Sequence, residues 1–175
     1  ILTASEDARI LVVCPAALTQ QWLAEFYAKF GGRVFRILDL KRDHPAQDDE
    51  SHLAIASTAY VLNNPTVMQE FPPWDLLIID EAHRLIHSAL YDTISRMSAK
   101  ANALLLLSAL PARRRADELY KLLLLLDPEF YETKGARENF EEIYANQRAI
   151  GRRIRLAERR AKDFRNGDEP AEAVI

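Results

Sequence analysis

The sequence predicts an α/β protein: a parallel β-sheet flanked by helices, followed by an α-helical C-terminal extension. Three observations carry this. Short β-rich runs alternate with helical patterns, the order that βαβ units produce. Four of the five runs are nearly continuous in apolar residues, as strands covered on both faces must be. After Phe130 the composition shifts toward charged residues.

The runs are Arg9 to Cys14, Arg33 to Leu38, Leu53 to Ser57, Asp75 to Ile79 and Ala103 to Leu107. Between the first two, A-L-T-Q-Q-W-L-A-E-F-Y-A-K-F places Leu18, Trp22, Leu23, Phe26, Tyr27 and Phe30 at helical spacing. Gly31-Gly32 ends that helix. Its aromatic stripe is read as packing against the sheet. Asp39 to Ser51 is polar, contains His44-Pro45 and reads as a loop, in which His44 is solvated, as is His52 just after it. Asn63-Asn64-Pro65 and Phe71-Pro72-Pro73 mark turns. Asp117 to Leu126 is a helix with leucines on all sides, which predicts deep burial or a covering neighbour. The domain expectation is residues 1-131 for the α/β part and 132-175 for a helical, basic extension. From Arg148 to Arg165 eight basic residues stand against two acids, which reads as a solvated helix face or as a contact for phosphate backbone or a partner.

A chain of 175 residues is long enough for one ordinary domain with a real core. Hydrophobic residues at 49% and charged residues at 28% exclude a disordered chain. The net charge of -3 gives no global nucleic-acid signature, so any basic surface is local. Cys14 is the only cysteine, which rules out an intrachain disulfide and a cysteine metal cluster, and the expected compartment is cytoplasmic. Nothing cationic flanks Cys14, so it is read as a small buried strand residue. No stretch reaches the roughly 18 apolar residues needed to cross a bilayer.

The chemistry is concentrated in W-D-L-L-I-I-D-E-A-H-R-L, Trp74 to Leu85. A buried strand runs directly into two acids. Ligands of open parallel sheets bind outside the carboxyl ends of the strands, which is where Asp80 and Glu81 fall. Hard carboxylate oxygens at that edge suit magnesium shared with substrate phosphates. They also suit a base that orients water for in-line attack on a γ-phosphate.

With its flanking strand, D-E-A-H resembles the corresponding motif of superfamily-two helicase-like ATPases. Within these it is similar to the Swi/Snf-like group, including the bacterial RapA/HepA type associated with RNA polymerase. Three further segments agree in order. I-L-V-V-C-P-A-A-L-T-Q-Q-W at Ile10 to Trp22 looks like motif Ia, and L-A-I-A-S-T-A-Y-V-L at Leu53 to Leu62 resembles the surroundings of motif Ib. L-L-L-L-S-A-L-P at Leu104 to Pro111 resembles motif III, and the following L-L-L-L-L-D-P-E-F-Y is also similar. The resemblance covers about residues 9 to 131 and implies a partial first RecA-like lobe using ATP and Mg²⁺. It implies that Asp80 holds Mg²⁺ and Glu81 orients the attacking water, both lying in the nucleotide site with His83 and Ser108. The latter two would link that site to the nucleic-acid face. It also puts Pro15, Ser57 and Thr58 at the nucleic-acid backbone, with duplex DNA, RNA polymerase or another protein–DNA complex, and a second RecA-like lobe as partners. Arg113, Arg114 and Arg115, just after motif III, form a basic cluster read as a phosphate contact. Leu110 departs from the family pattern, because it lacks the hydroxyl usual at the third position of motif III.

None of the glycines (Gly31, Gly32, Gly135, Gly151, Gly167) fits the phosphate-cradling G-x-x-x-x-G-K-[ST] pattern. In the family that loop precedes the first strand. The opening I-L-T-A-S-E-D-A-R reads as the end of a helix and a turn, so the expectation is an excerpt of a longer motor that is inactive alone. Three rival readings stay open. The acids could merely cap a following helix. His83 and His87, four apart, could bind zinc with a neighbouring acid. The lobe could also be a non-catalytic module that binds nucleic acid or protein.

Overall fold

A computed structural model describes residues 8–30, 35–38, 52–109 and 116–166. The chain divides into two compact units, Ile1–Pro128 and Glu129–Ile175.

The first unit is built on a five-stranded, wholly parallel sheet with strand order β2-β3-β1-β4-β5. The strands are β1 (Ile10–Cys14), β2 (Arg36–Ile37), β3 (Leu53–Ser57), β4 (Leu76–Ile79) and β5 (Leu104–Leu106). Each lies within a run that the sequence predicts. β2 and β5 are shorter than their runs and, among the described residues, pair on one side only. Central β1 is buried throughout, with Val12 in register with Ile55 on one side and Ile78 on the other.

Alternation along the strands divides the core into two layers. Leu11, Val13, Ala56, Leu77 and Ile79 point to one face. There they meet Val61 of α2 (Thr58–Asn63), Met68 of α3 (Pro65–Glu70), Ile94 and Met97 of α4 (Leu90–Ser98), and Leu125 of α5 (Ala116–Leu126). Val12, Cys14, Ile55 and Ile78 point to the other face, against Phe35 and the Trp22, Leu23 and Phe26 stripe of α1 (Thr19–Phe30). Only part of the aromatic stripe packs, since Tyr27 remains 66% exposed. α5 is half-buried rather than engulfed. Tyr120 and Leu125 are buried while Leu126 faces solvent.

At the amino edge of the sheet, Asp75 ties three strands together. Its Oδ2 accepts the Arg9 backbone N–H and its Oδ1 accepts the Asn102 side-chain amide, both at 2.8 Å. The Arg9 guanidinium stacks 4.9 Å above Trp74. His52 is half-buried rather than solvated, and its Nδ1 is buried without a hydrogen-bond partner. Confinement between the ends of β1 and β3, where its carbonyl accepts the Ile10 N–H, accounts for the difference. His44 and the Asp39–Ser51 loop lie outside the described residues.

In the second unit, α6 (Ala136–Asn166) is one continuous helix of 31 residues. It follows Gly135, whose φ of 87° lies in the left-handed region that glycine tolerates. Its acidic first turns carry the Arg137–Glu141 pair at 2.9 Å, and Ile143, Ile150 and Ile154 are exposed. Among the described residues no helix is long and apolar enough to cross a membrane.

Candidate functional site

Because every strand is parallel, their carboxyl ends converge on one edge. β1 delivers Pro15 there, β3 delivers Ser57 and Thr58, β4 delivers Asp80 and Glu81, and β5 leads to Ser108. The β4 exit is locked into the sheet. The Asp80 N–H donates to the Val13 carbonyl at 2.8 Å, and the Ala82 N–H to the Leu107 carbonyl at 2.8 Å.

Between those anchors the chain turns sharply at Glu81, which adopts φ 53° and ψ 42°. This is the only positive-φ non-glycine residue among the described residues. Such a conformation costs a non-glycine residue about 1–2 kcal/mol and is a recurrent mark of functional turns. Glu81 starts the 3-10 helix Ala82–His87, yet its side chain makes no capping bond to it. Asp80 does not cap that helix either, because its Oδ1 accepts the Glu81 N–H at 2.8 Å. Neither carboxylate therefore makes a capping hydrogen bond to that helix.

Asp80 Oδ2 accepts the indole N–H of Trp22 at 2.9 Å. Each carboxylate oxygen has about two lone-pair sites, so one remains on each. Glu81 Oε2 lies 3.2 Å from His83 Nδ1, and Ser108 Oγ lies 3.1 Å from the same nitrogen. Both oxygens therefore face the same ring nitrogen, and in the tautomer with the hydrogen on Nδ1 that nitrogen donates to them. Glu81, His83 and Ser108 thus form a chain from the β4 exit to the β5 exit.

Two cavities flank Asp80. One, of about 290 Å³, is lined by Pro15, Thr58, Asp80, Glu81 and Arg84, among others. The other, of about 280 Å³, runs between Asp80 and the Trp22–Phe26 face of α1. Ser57 stands beside this group, but its Oγ accepts the Tyr60 N–H at 3.0 Å as the cap of α2. Arg113, Arg114, Arg115 and Leu110 lie outside the described residues. Arg84, exposed at the cavity rim, was not singled out by the sequence, and neither was the polar role of Trp22. A tryptophan half-buried beside a strand end needs an N–H partner, which is the signal that was available.

Asp80 and Glu81 offer the oxygen donors that a magnesium ion takes when water and phosphate complete its shell. A zinc site is not formed. His83 turns to Glu81 and Ser108, while His87 turns to Glu118 at 3.1 Å. No group of three potential metal-binding side chains occurs among the described residues. Buried Cys14, beneath Asp80, has its thiol pKa pushed up to about 12 by burial and by the Asp80 charge, so it stays protonated.

Comparison with known proteins agrees with this architecture. The family model described as the SNF2-related domain matches residues 3–163. The RNA polymerase-associated protein RapA of Pectobacterium carotovorum is 30% identical over 159 residues, covering 83% of this chain. RapA of Erwinia tasmaniensis is 31% identical over 141 residues, covering 73%. The chain spans only 16% and 14% of the length of these two relatives. The Sulfolobus solfataricus SWI2/SNF2 ATPase core in complex with dsDNA superposes with a TM-score of 0.65 at 18% identity, over 83% of this chain and 34% of that one. The Sulfolobus solfataricus SWI2/SNF2 ATPase core domain superposes with a TM-score of 0.65 at 19% identity, over 93% of this chain and 32% of that one. The sheet with its flanking helices is thus the RecA-like fold of that core. The chain belongs to the SNF2-related domain family.

Proposed function

We propose that this chain forms part of the first motor lobe of a Swi/Snf-like translocase that hydrolyses ATP with Mg²⁺ to move on duplex DNA. The observation that carries the reading is the pair of acids at the β4 exit, with Glu81 joined through His83 to Ser108. In this reading Asp80 holds the magnesium, which supplies charge neutralisation at the phosphates. Glu81 accepts a hydrogen bond from the attacking water and aligns it, as the positioning residues of phosphoryl transfer do. His83 fixes the Glu81 carboxylate and relays its position to the β5 exit.

Pro15, Ser57 and Thr58 are assigned to the nucleic-acid backbone. The common cavity of Pro15 and Thr58 with the acids supports a short path between hydrolysis and grip. Arg113, Arg114 and Arg115 are assigned to phosphate, and residues 132-175 to a helical extension of the lobe 1-131. A cytoplasmic location, a second RecA-like lobe, and a protein–DNA complex such as one containing RNA polymerase complete the proposal. The 175 residues contain no G-x-x-x-x-G-K-[ST] loop, and the proposed second lobe is assigned the transition-state arginines. The chain alone is therefore expected to hydrolyse little or no ATP.

The test compares ATP hydrolysis by residues 1–175 with that of the full-length protein carrying them, with and without duplex DNA. DNA-stimulated, magnesium-dependent turnover in the full-length protein alone supports the proposal. Turnover by residues 1–175 that Glu81→Gln abolishes contradicts the division of labour. A full-length protein that binds duplex DNA but never hydrolyses ATP establishes the non-catalytic module instead.

A further inference from the structure

The Asp80 carboxylate is held from two sides. The nearer contact is local, from the Glu81 N–H, but the other comes from Trp22, 58 residues away on α1. We infer that Trp22 is a positioning residue whose indole N–H fixes the orientation in which Asp80 meets a divalent cation. The inference rests on the reading of Asp80 as the metal-binding carboxylate.

Three features support it. The indole has a single donor and no acceptor, so its bond to Oδ2 is directional. The ring itself is fixed. It packs on Phe26 at 5.2 Å, and Phe26 stacks on Phe35 at 4.0 Å, with Phe35 only 2% exposed in the core. The donor is therefore tied to the sheet through a row of rings. Finally, Trp22 is only half-buried and lines an open cavity, so water could have satisfied its N–H, yet the bond goes to the carboxylate.

Two effects of this bond on metal affinity oppose one another. Hydrogen bonding withdraws charge from Oδ2 and weakens it as a ligand. Orientation of the carboxylate strengthens binding, and partners of ligating groups typically carry 10–100-fold in metal affinity. A divalent ion with strict geometry makes orientation the larger effect. Removing the N–H should therefore weaken binding, whereas a bond that only satisfied the indole would leave affinity unchanged or raise it.

Mn²⁺ is a suitable probe, because it broadens nearby magnetic resonance signals even when bound weakly. The ¹⁵N-labelled chain has two indole signals, from Trp22 and Trp74, and Trp22→Phe identifies them. Mn²⁺ should broaden the Trp22 indole and the Glu81 amide before the Trp74 indole. Asp80→Ala should shift the Trp22 indole and remove this selective broadening. Trp22→Phe, with the Trp74 signal in place as evidence of folding, should need about tenfold more Mn²⁺ to broaden the Glu81 amide. Equal or tighter binding in Trp22→Phe overturns the positioning role while leaving the metal assignment intact. Absence of selective broadening in the wild-type chain overturns the metal assignment and the inference with it. A Trp22 indole unmoved by Asp80→Ala overturns the inference even if Trp22→Phe does not fold.

Discussion

Glu81 shows what a single residue concedes to a site. Its left-handed backbone, φ 53°, is unfavourable for any side chain and is imposed by the sheet bonds on either side of it. Glu81→Gly should therefore be more stable to urea than Glu81→Ala by about 1 kcal/mol, since both lose the carboxylate and only glycine relaxes the turn. Equal stabilities would mean that the turn carries no strain. Cys14 gives a pH prediction of the opposite kind. Its folded pKa, about 12, lies above the value of 9.0 for an unperturbed thiol. The folded state thus keeps a proton that the unfolded state loses, so its contribution is fully present below pH 9 and fades as pH rises toward 12. Unfolding measured across that window should show wild type losing stability relative to Cys14→Ala. Little of this was legible in the sequence beyond the burial of Cys14, which its apolar run predicts. D-E-A-H named the residues, but the strained turn, the Trp22 bond and the raised thiol pKa arise from chain segments that meet only on folding.

At the scale of elements the sequence was more informative. Each strand lies inside an apolar run because a strand covered on both faces must be apolar on both. Leu77 of β4 is fully buried between its neighbours, so Leu77→Ala should cost about 2–5 kcal/mol in denaturant unfolding. The short helices α2 and α3 were hidden, since Asn64-Pro65 reads as a turn and each helix has only six residues. α4 carries its own signal in the chain, since Leu90, Ile94 and Met97 recur at helical spacing and are all buried. Ser57 carries both a structural and a proposed binding role, and the two separate by measurement. Ser57→Ala should cost about 1 kcal/mol of stability through the lost cap of α2. Any additional loss of salt-sensitive DNA binding by the folded variant, as the full-length protein, measures the contact to the nucleic-acid backbone.

At the scale of the molecule, parallel strands turn scattered motifs into one edge. Pro15, Thr58, Asp80, Glu81 and Ser108 are spread over much of the chain, and the order β2-β3-β1-β4-β5 brings them to the same side. The sequence could supply that edge because parallel pairing follows from alternating strands and helices. It could not supply the His83 bridge, which depends on how β4 and β5 register. The central claim is that Glu81 aligns water while Asp80 holds magnesium for hydrolysis of ATP. It is tested most directly by Glu81→Gln in the full-length protein, with kcat and KM for ATP measured on duplex DNA. Glutamine keeps the size and removes the charge, so kcat should fall by about 10²–10⁴, the usual contribution of a positioned acid–base group, with KM for ATP little changed. A variant that retains wild-type kcat would contradict the account.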